Sequence, residues 1–145
     1  MGNHTGSHRR LEELSQEEIV QEIGKTDALL CSLLGEDNYW VRPPYGLLRP
    51  GTEGLIPVPM VKWSVDPRDW ESRDTGKVIQ AVEEAIRPNS IILLHDIYPT
   101  SVDAALALID RLRGEGYEFL TVSELMDRNG VSVKNGVLYR DGNGA

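Results

Sequence analysis

Three histidines are the residues whose types and spacing could do chemistry. His4 and His8 stand four apart in HTGSH. On a helical turn both rings would project from one face and could share a divalent cation. The same spacing also describes a plain surface pair, and an N-terminal ligand pair needs a third partner. His95 closes the apolar run IILLHD. It is either a strand-end histidine bonding a backbone carbonyl or a general acid or base, a role suited to an imidazole near neutrality. Arg42 in VRPPYG is an ordinary loop arginine, or a guanidinium clamping a carboxylate while the rigid Pro43-Pro44 backbone aims an N–H into the same place. WSVDPRDW gathers Trp63, Asp66, Asp69 and Trp70. Asp66 reads as the cap of a turn at Pro67, and Trp70 as a core residue.

The elements that must position these groups follow from periodicity and punctuation. LSQEEIVQEIGKTDALLCSLLG reads as a helix, opened by a Ser15/Glu18 capping box and stopped at Gly35, with Ile19, Ile23 and Leu30 on its apolar face. NYWVRPPYG is a strand running into a proline-rich loop, and VPMVKWSV a strand ending at the Asp66-Pro67 turn. TGKVIQAVEEAIRP is a helix closed by Pro88, and SIILLHD a short, buried strand. A second long helix is expected in TSVDAALALIDRLRGEGY, with Val102, Ala105, Leu106, Ile109 and Leu112 inward and Gly114 or Gly116 at its end. EFLTV reads as a strand, SELMDRN as a short helix, and VSVKNGVLYR as a hairpin about Asn135-Gly136. Strands alternating with helices predict a mostly parallel sheet or barrel, whose chemistry sits at the C-terminal strand ends. His95, Arg42 and Asp69 all fall there.

Length and composition narrow the field. With 145 residues, 40% of them hydrophobic, one compact domain is expected. A formal charge of -8 and a pI near 4.8 argue against nucleic acid as a partner. No apolar run is long enough to span a membrane, and the start lacks the basic-then-apolar pattern of a secretory signal. The single cysteine, Cys31, cannot form an internal disulfide and is expected to be a buried thiol.

Taken in order, four stretches resemble the polysaccharide deacetylase (NodB-like) carbohydrate esterases. HTGSH is similar to that family's H-[ST]-x-x-H motif, RPPY to R-x-P-Y, DPRDW to D-x-x-D-W and LLH to L-x-H, and GYEFLTVSEL is a family-like end. The resemblance covers nearly the whole chain. It implies residues 1–145 as one deacetylase-like catalytic domain, and an α/β fold that is part of a distorted (β/α) barrel. It also implies roles. His4 and His8 would bind a divalent metal, zinc in the first instance. Arg42 would orient the catalytic base, and the Tyr45 backbone N–H would help hold the oxyanion. Asp69 would pair with His95 and keep it protonated, so that His95 can donate a proton to the leaving amine. Trp63 and Leu93 would wall the pocket for the acetyl methyl. The activity implied is hydrolysis of N-acetyl groups on peptidoglycan or a chitin-like polymer, at the cell wall or outside the cell.

One departure stands against this. The family's first motif, T-F-D-D, supplies the catalytic base and a third metal ligand, and no Asp-Asp pair occurs in this sequence. Only Met1, Gly2 and Asn3 precede His4. The expectation is a C-terminal portion lacking the first strand or strands, with an open edge prone to self-association and little activity alone. Asp27, Asp37 and Asp96 are carboxylates that could substitute locally. The alternatives are O-deacetylation of acetyl-xylan, a degenerate non-catalytic glycan-binding domain, and an assembly in which a second polypeptide supplies the Asp-Asp strand.

Overall fold

The computed structural model describes residues 1–35 and 39–144. The chain divides into two units, Met1–Lys62 with Ser132–Arg140, and Trp63–Val131 with Asp141–Asn143.

In the first unit, helix α1 (Gln16–Leu34) starts on the expected capping box and ends at Gly35. It buries Ile19 and Ile23, which pack with Leu11, Leu14, Val41, Ile56 and Met60. Cys31 is half-buried, not the buried thiol expected, and on the same last turns of α1 Leu29, Leu33 and Leu34 are more than half exposed. The pairing is parallel, as expected, but brief. Strand β1 (Met60–Val61) pairs with β2 (Leu138–Tyr139), and Val41 bridges to both Asn3 and Met60. Among the described residues the expected strand in NYWVRPPYG, whose Asn38 lies outside them, thus shrinks to Val41, and the prolines that follow offer no ladder donors.

The hairpin about Asn135-Gly136 does not form. The turn is there, with Gly136 at φ 71°, and a Cβ at that position would lie 2.9 Å from the Glu53 carbonyl oxygen. After it, β2 finds its ladder on β1, while the Lys134 N–H goes to the Tyr139 hydroxyl.

The second unit holds α2 (Asp69–Ser72), α3 (Thr75–Ala85, capped by Asp74), α4 (Pro99–Gly114) and α5 (Val122–Arg128). Val65 and Ile92 form a parallel bridge, with the Leu93 N–H on the Val65 carbonyl. Ile92 and Leu94 pack with Val78, Val82, Ala104, Leu108 and Leu112 of the helices. By strand alternation Ile91, Leu93 and His95 take the other side. EFLTV makes no strand among the described residues. Thr121 and Glu124 form a capping box that opens α5 at Val122.

Helix α4 lies about one position away from the expected rotation. Its buried residues are Ser101, Ala104, Leu108 and Leu112, whereas Leu106 is 61% exposed and Val102 40%. Leu108→Ala is therefore expected to cost about 2–5 kcal/mol, and Leu106→Ala no more than about 0.5 kcal/mol. Urea unfolding of the two variants beside the wild type measures both. Equal losses would contradict this rotation.

Candidate functional site

The candidate residues are held in two groups, one in each unit. In the first, residues 4–8 are a bent loop, not the expected helical turn, with Thr5 at φ 67° and His8 at φ 56°. Asn3 sets its start. The Asn3 side chain donates to the Ile23 carbonyl and accepts the Thr5 N–H, and the Arg42 N–H donates to the Asn3 carbonyl. Glu22 on α1 holds the loop's crest, taking both the N–H and the hydroxyl of Ser7 at 2.9 Å. The loop brings the His4 and His8 rings edge to face, with centroids 4.8 Å apart.

His4 Nδ1 lies 2.6 Å from the Arg42 carbonyl oxygen. A carbonyl only accepts, so a neutral ring carries its proton on Nδ1 and its lone pair on Nε2, the form that ligates a metal. Two imidazoles so arranged fit part of a divalent ion's shell. Among the described residues no group of three His, Cys, Asp or Glu side chains is placed to complete it. Asp27 lies on α1, Asp96 is exposed after His95, and Asp37 lies outside the described residues.

Arg42 and Tyr45 belong to the same group. The Arg42 side chain buries its Nε with no hydrogen-bond partner among the described residues, and burial pushes its pKa below the ordinary arginine value. A buried, unmatched cationic donor is costly and calls for an anion. Tyr45 sits in the left-handed region at φ 59°, a conformation worth about 1–2 kcal/mol of strain in an L-residue. Its ring lies 5.1 Å from His8, with the Arg10 guanidinium 4.4 Å over it.

The second group centres on Asp69, which is 0% exposed. Its Oδ1 lies 2.8 Å from His95 Nδ1, and its Oδ2 accepts the His95 backbone N–H at 2.7 Å and the Ser101 hydroxyl at 2.6 Å. Burial pushes the carboxyl's pKa up, but those hydrogen bonds outweigh it and the value settles below that of an ordinary aspartate. Leu93 is buried on the His95 side of its strand, and Trp63 is half-buried. Asp66 caps its turn as expected, accepting the Arg68 N–H. Trp70 departs from expectation: it is 44% exposed, with the Arg68 guanidinium 5.3 Å from its ring, because α2 is a single turn with Asp69 as its buried residue.

Residues 1–53 match the model of the family described as polysaccharide deacetylase. A solved structure of the T48 deacetylase with substrate is 36% identical at a TM-score of 0.88, over 95% of this chain and 68% of that one. The chain belongs to the polysaccharide deacetylase family. Its fold is accordingly part of the (β/α) barrel of these deacetylase domains. The family 4 acetyl xylan esterase of Clostridium thermocellum, solved in complex with a cobalt ion, is 28% identical at a TM-score of 0.89, over 98% of this chain and 72% of that one. Peptidoglycan-N-acetylmuramic acid deacetylase PdaC of Bacillus subtilis is 36% identical over 86% of this chain. The chain spans only 27% of PdaC, little more than a quarter of that curated relative.

In this polysaccharide deacetylase chain, His4, His8, Arg42 and Tyr45 converge in the first unit, and Asp69 is bonded to His95 in the second. Ser101 is the residue the sequence reading missed. Its one signal is position: six residues after His95, just inside a helix that Pro99 opens.

Asp69→Asn is expected to cost about 2–4 kcal/mol at neutral pH, since an amide cannot accept from all three donors. Because the folded pKa is lowered, the carboxylate's contribution is complete above the unfolded value of about 4 and is lost as pH falls through the lower folded value. Urea midpoints from pH 6 to 3 measure this. The wild type loses part of its margin over the variant at the acid end, and a gap that stays constant would contradict the assignment.

Proposed function

We propose that this chain carries machinery for metal-dependent hydrolysis of N-acetyl groups on a sugar polymer, peptidoglycan or a chitin-like chain, yielding acetate and a free amine. The observation that carries the reading is the buried Asp69 carboxylate bonded to both His95 Nδ1 and the His95 backbone N–H. A ring held that way has Nε2 as its remaining nitrogen for proton transfer, the arrangement a general acid needs. The relatives named as peptidoglycan deacetylase and acetyl xylan esterase support the reaction class. The proposal takes residues 1–145 as part of one catalytic domain working at the cell wall.

The roles follow from the chemistry. His4 and His8 would hold a divalent ion, zinc in the first instance. Such an ion supplies Lewis acidity toward the acetyl carbonyl and toward water. The Tyr45 backbone N–H donates to the carbonyl oxygen as negative charge gathers on it. Trp63 and Leu93 close around the acetyl methyl. His95 gives its proton to the nitrogen as the C–N bond breaks. Arg42, with its unmatched Nε, orients the carboxylate that removes a proton from water. No Asp-Asp pair occurs in the sequence, so that carboxylate and the third metal ligand are taken to come from a segment supplied to the chain. A second reading is a glycan-binding domain without catalysis, one that keeps these groups and never receives the carboxylate.

Acetate release decides between them. With zinc added, the chain alone is expected to act slowly on N-acetylated glycan. A peptide carrying the family's Asp-Asp segment should raise the rate, and His95→Asn should lower the raised rate by about 100-fold or more. Faster release from acetyl-xylan than from chitin oligomers would move the substrate to O-acetyl esters. Full turnover by the unsupplemented chain would contradict the need for a supplied carboxylate. Glycan binding indifferent to chelator, with no acetate under any condition, would make this a binding domain.

A further inference from the structure

The Asp69 carboxylate has one donor more than its pairing with His95 requires. Ser101 is 1% exposed, and its hydroxyl donates to Asp69 Oδ2 at 2.6 Å. A serine inside a helix commonly returns its hydroxyl proton to a carbonyl three or four residues back. Here the Ser101 backbone N–H donates to the Tyr98 carbonyl at 2.9 Å, and the hydroxyl reaches instead to another element. The position is fixed from both sides. Pro99 opens α4, and the Thr75 hydroxyl, at the start of α3, donates to the Thr100 carbonyl at 3.1 Å.

This has a consequence for the ring. Oδ2 accepts from the His95 N–H and from Ser101, so rotating the carboxylate about Cβ–Cγ would break two hydrogen bonds at once, the second of them fully buried. Oδ1 is thereby held opposite His95 Nδ1, at 2.8 Å, as a single acceptor in a single place. The Nδ1 proton has nowhere better to go, and Nε2 is left as the nitrogen that exchanges protons. The ring is otherwise loosely bounded: its side chain is 38% exposed, and Tyr98 meets it edge-on at 6.5 Å.

We propose that Ser101 is a positioning residue which, through Asp69, locks His95 with its proton on Nδ1 and Nε2 set for proton transfer. Its catalytic meaning rests on the deacetylase reading above; its structural meaning does not. Ser101 itself touches no substrate.

The test is nuclear magnetic resonance of the imidazole nitrogens in the 15N-labelled full chain. The three histidines are told apart with His4→Ala and His8→Ala variants. Wild type is compared with Ser101→Ala, and Ser101→Thr with Ser101→Val, two side chains of one shape that differ in the hydroxyl. In wild type and Ser101→Thr, neutral His95 is expected to keep its proton on Nδ1, in slow exchange with water. In Ser101→Ala and Ser101→Val that proton should exchange faster by about tenfold, the worth of one charge-assisted hydrogen bond, and the other tautomer should appear. Equal exchange and equal tautomers in folded chains with and without the hydroxyl would overturn the proposal. Loss of the fold in both hydroxyl-free variants would overturn it equally, assigning Ser101 to stability alone. No turnover is needed for the readout. The expected tautomer pattern without acetate release under any condition would sink the deacetylase reading and leave the lock standing. The reverse would sink only the lock.

Discussion

A carboxylate removed from water must be met by donors, and the second unit is arranged around meeting one. Asp69 has no exposed surface, and its two oxygens accept from the His95 ring, the His95 backbone and Ser101. Those bonds join the turn into α2 to two neighbouring pieces of chain 26 and 32 residues further on, the end of the Ile91–His95 segment and the first turn of α4. The apolar cluster of Val78, Val82, Ala104, Leu108 and Leu112 lies beneath the Val65–Ile92 pairing and steadies it. The core therefore serves the carboxylate as much as the carboxylate serves the core. A histidine held at two points by one buried anion is fixed in place.

The first unit solves a different problem, bringing two imidazoles together on a loop with no regular structure of its own. The loop borrows order from neighbours: Asn3 ties it to α1 and to the chain at Arg42, and Glu22 takes the Ser7 N–H and hydroxyl. The Arg42 carbonyl then fixes the His4 tautomer. What is unfinished is as informative. Arg42 buries a donor with no acceptor, and no third side chain completes a metal shell among the described residues. Both gaps have the same chemical remedy, a carboxylate.

Much of this was legible in the sequence, for local reasons. Ser15 with Glu18 opens α1 through contacts within a few residues. The pairing of Asp69 with His95 came from the likeness of DPRDW and LLH to a family's motifs, not from any local rule. The misreadings are equally physical. The buried stripe of α4 lies about one position from its apolar spacing because its first buried member is a serine, which an apolar count passes over. Thr121 with Glu124 makes a capping box inside what reads as a strand, and the cap won. Asn135-Gly136 made its turn, but β1 offered β2 a parallel partner that no short-range pattern could announce. The loop of His4 and His8 owes its shape to Glu22 and Ile23, contacts of long sequence separation.

The central claim is that His4 and His8 form a genuine metal pair. Calorimetric titration of the full chain with zinc, beside a His4→Ala/His8→Ala double variant, tests it without any assumption about substrate. The account predicts one zinc bound per chain and its loss in the double variant. Binding that is absent, or the same in both proteins, would contradict it.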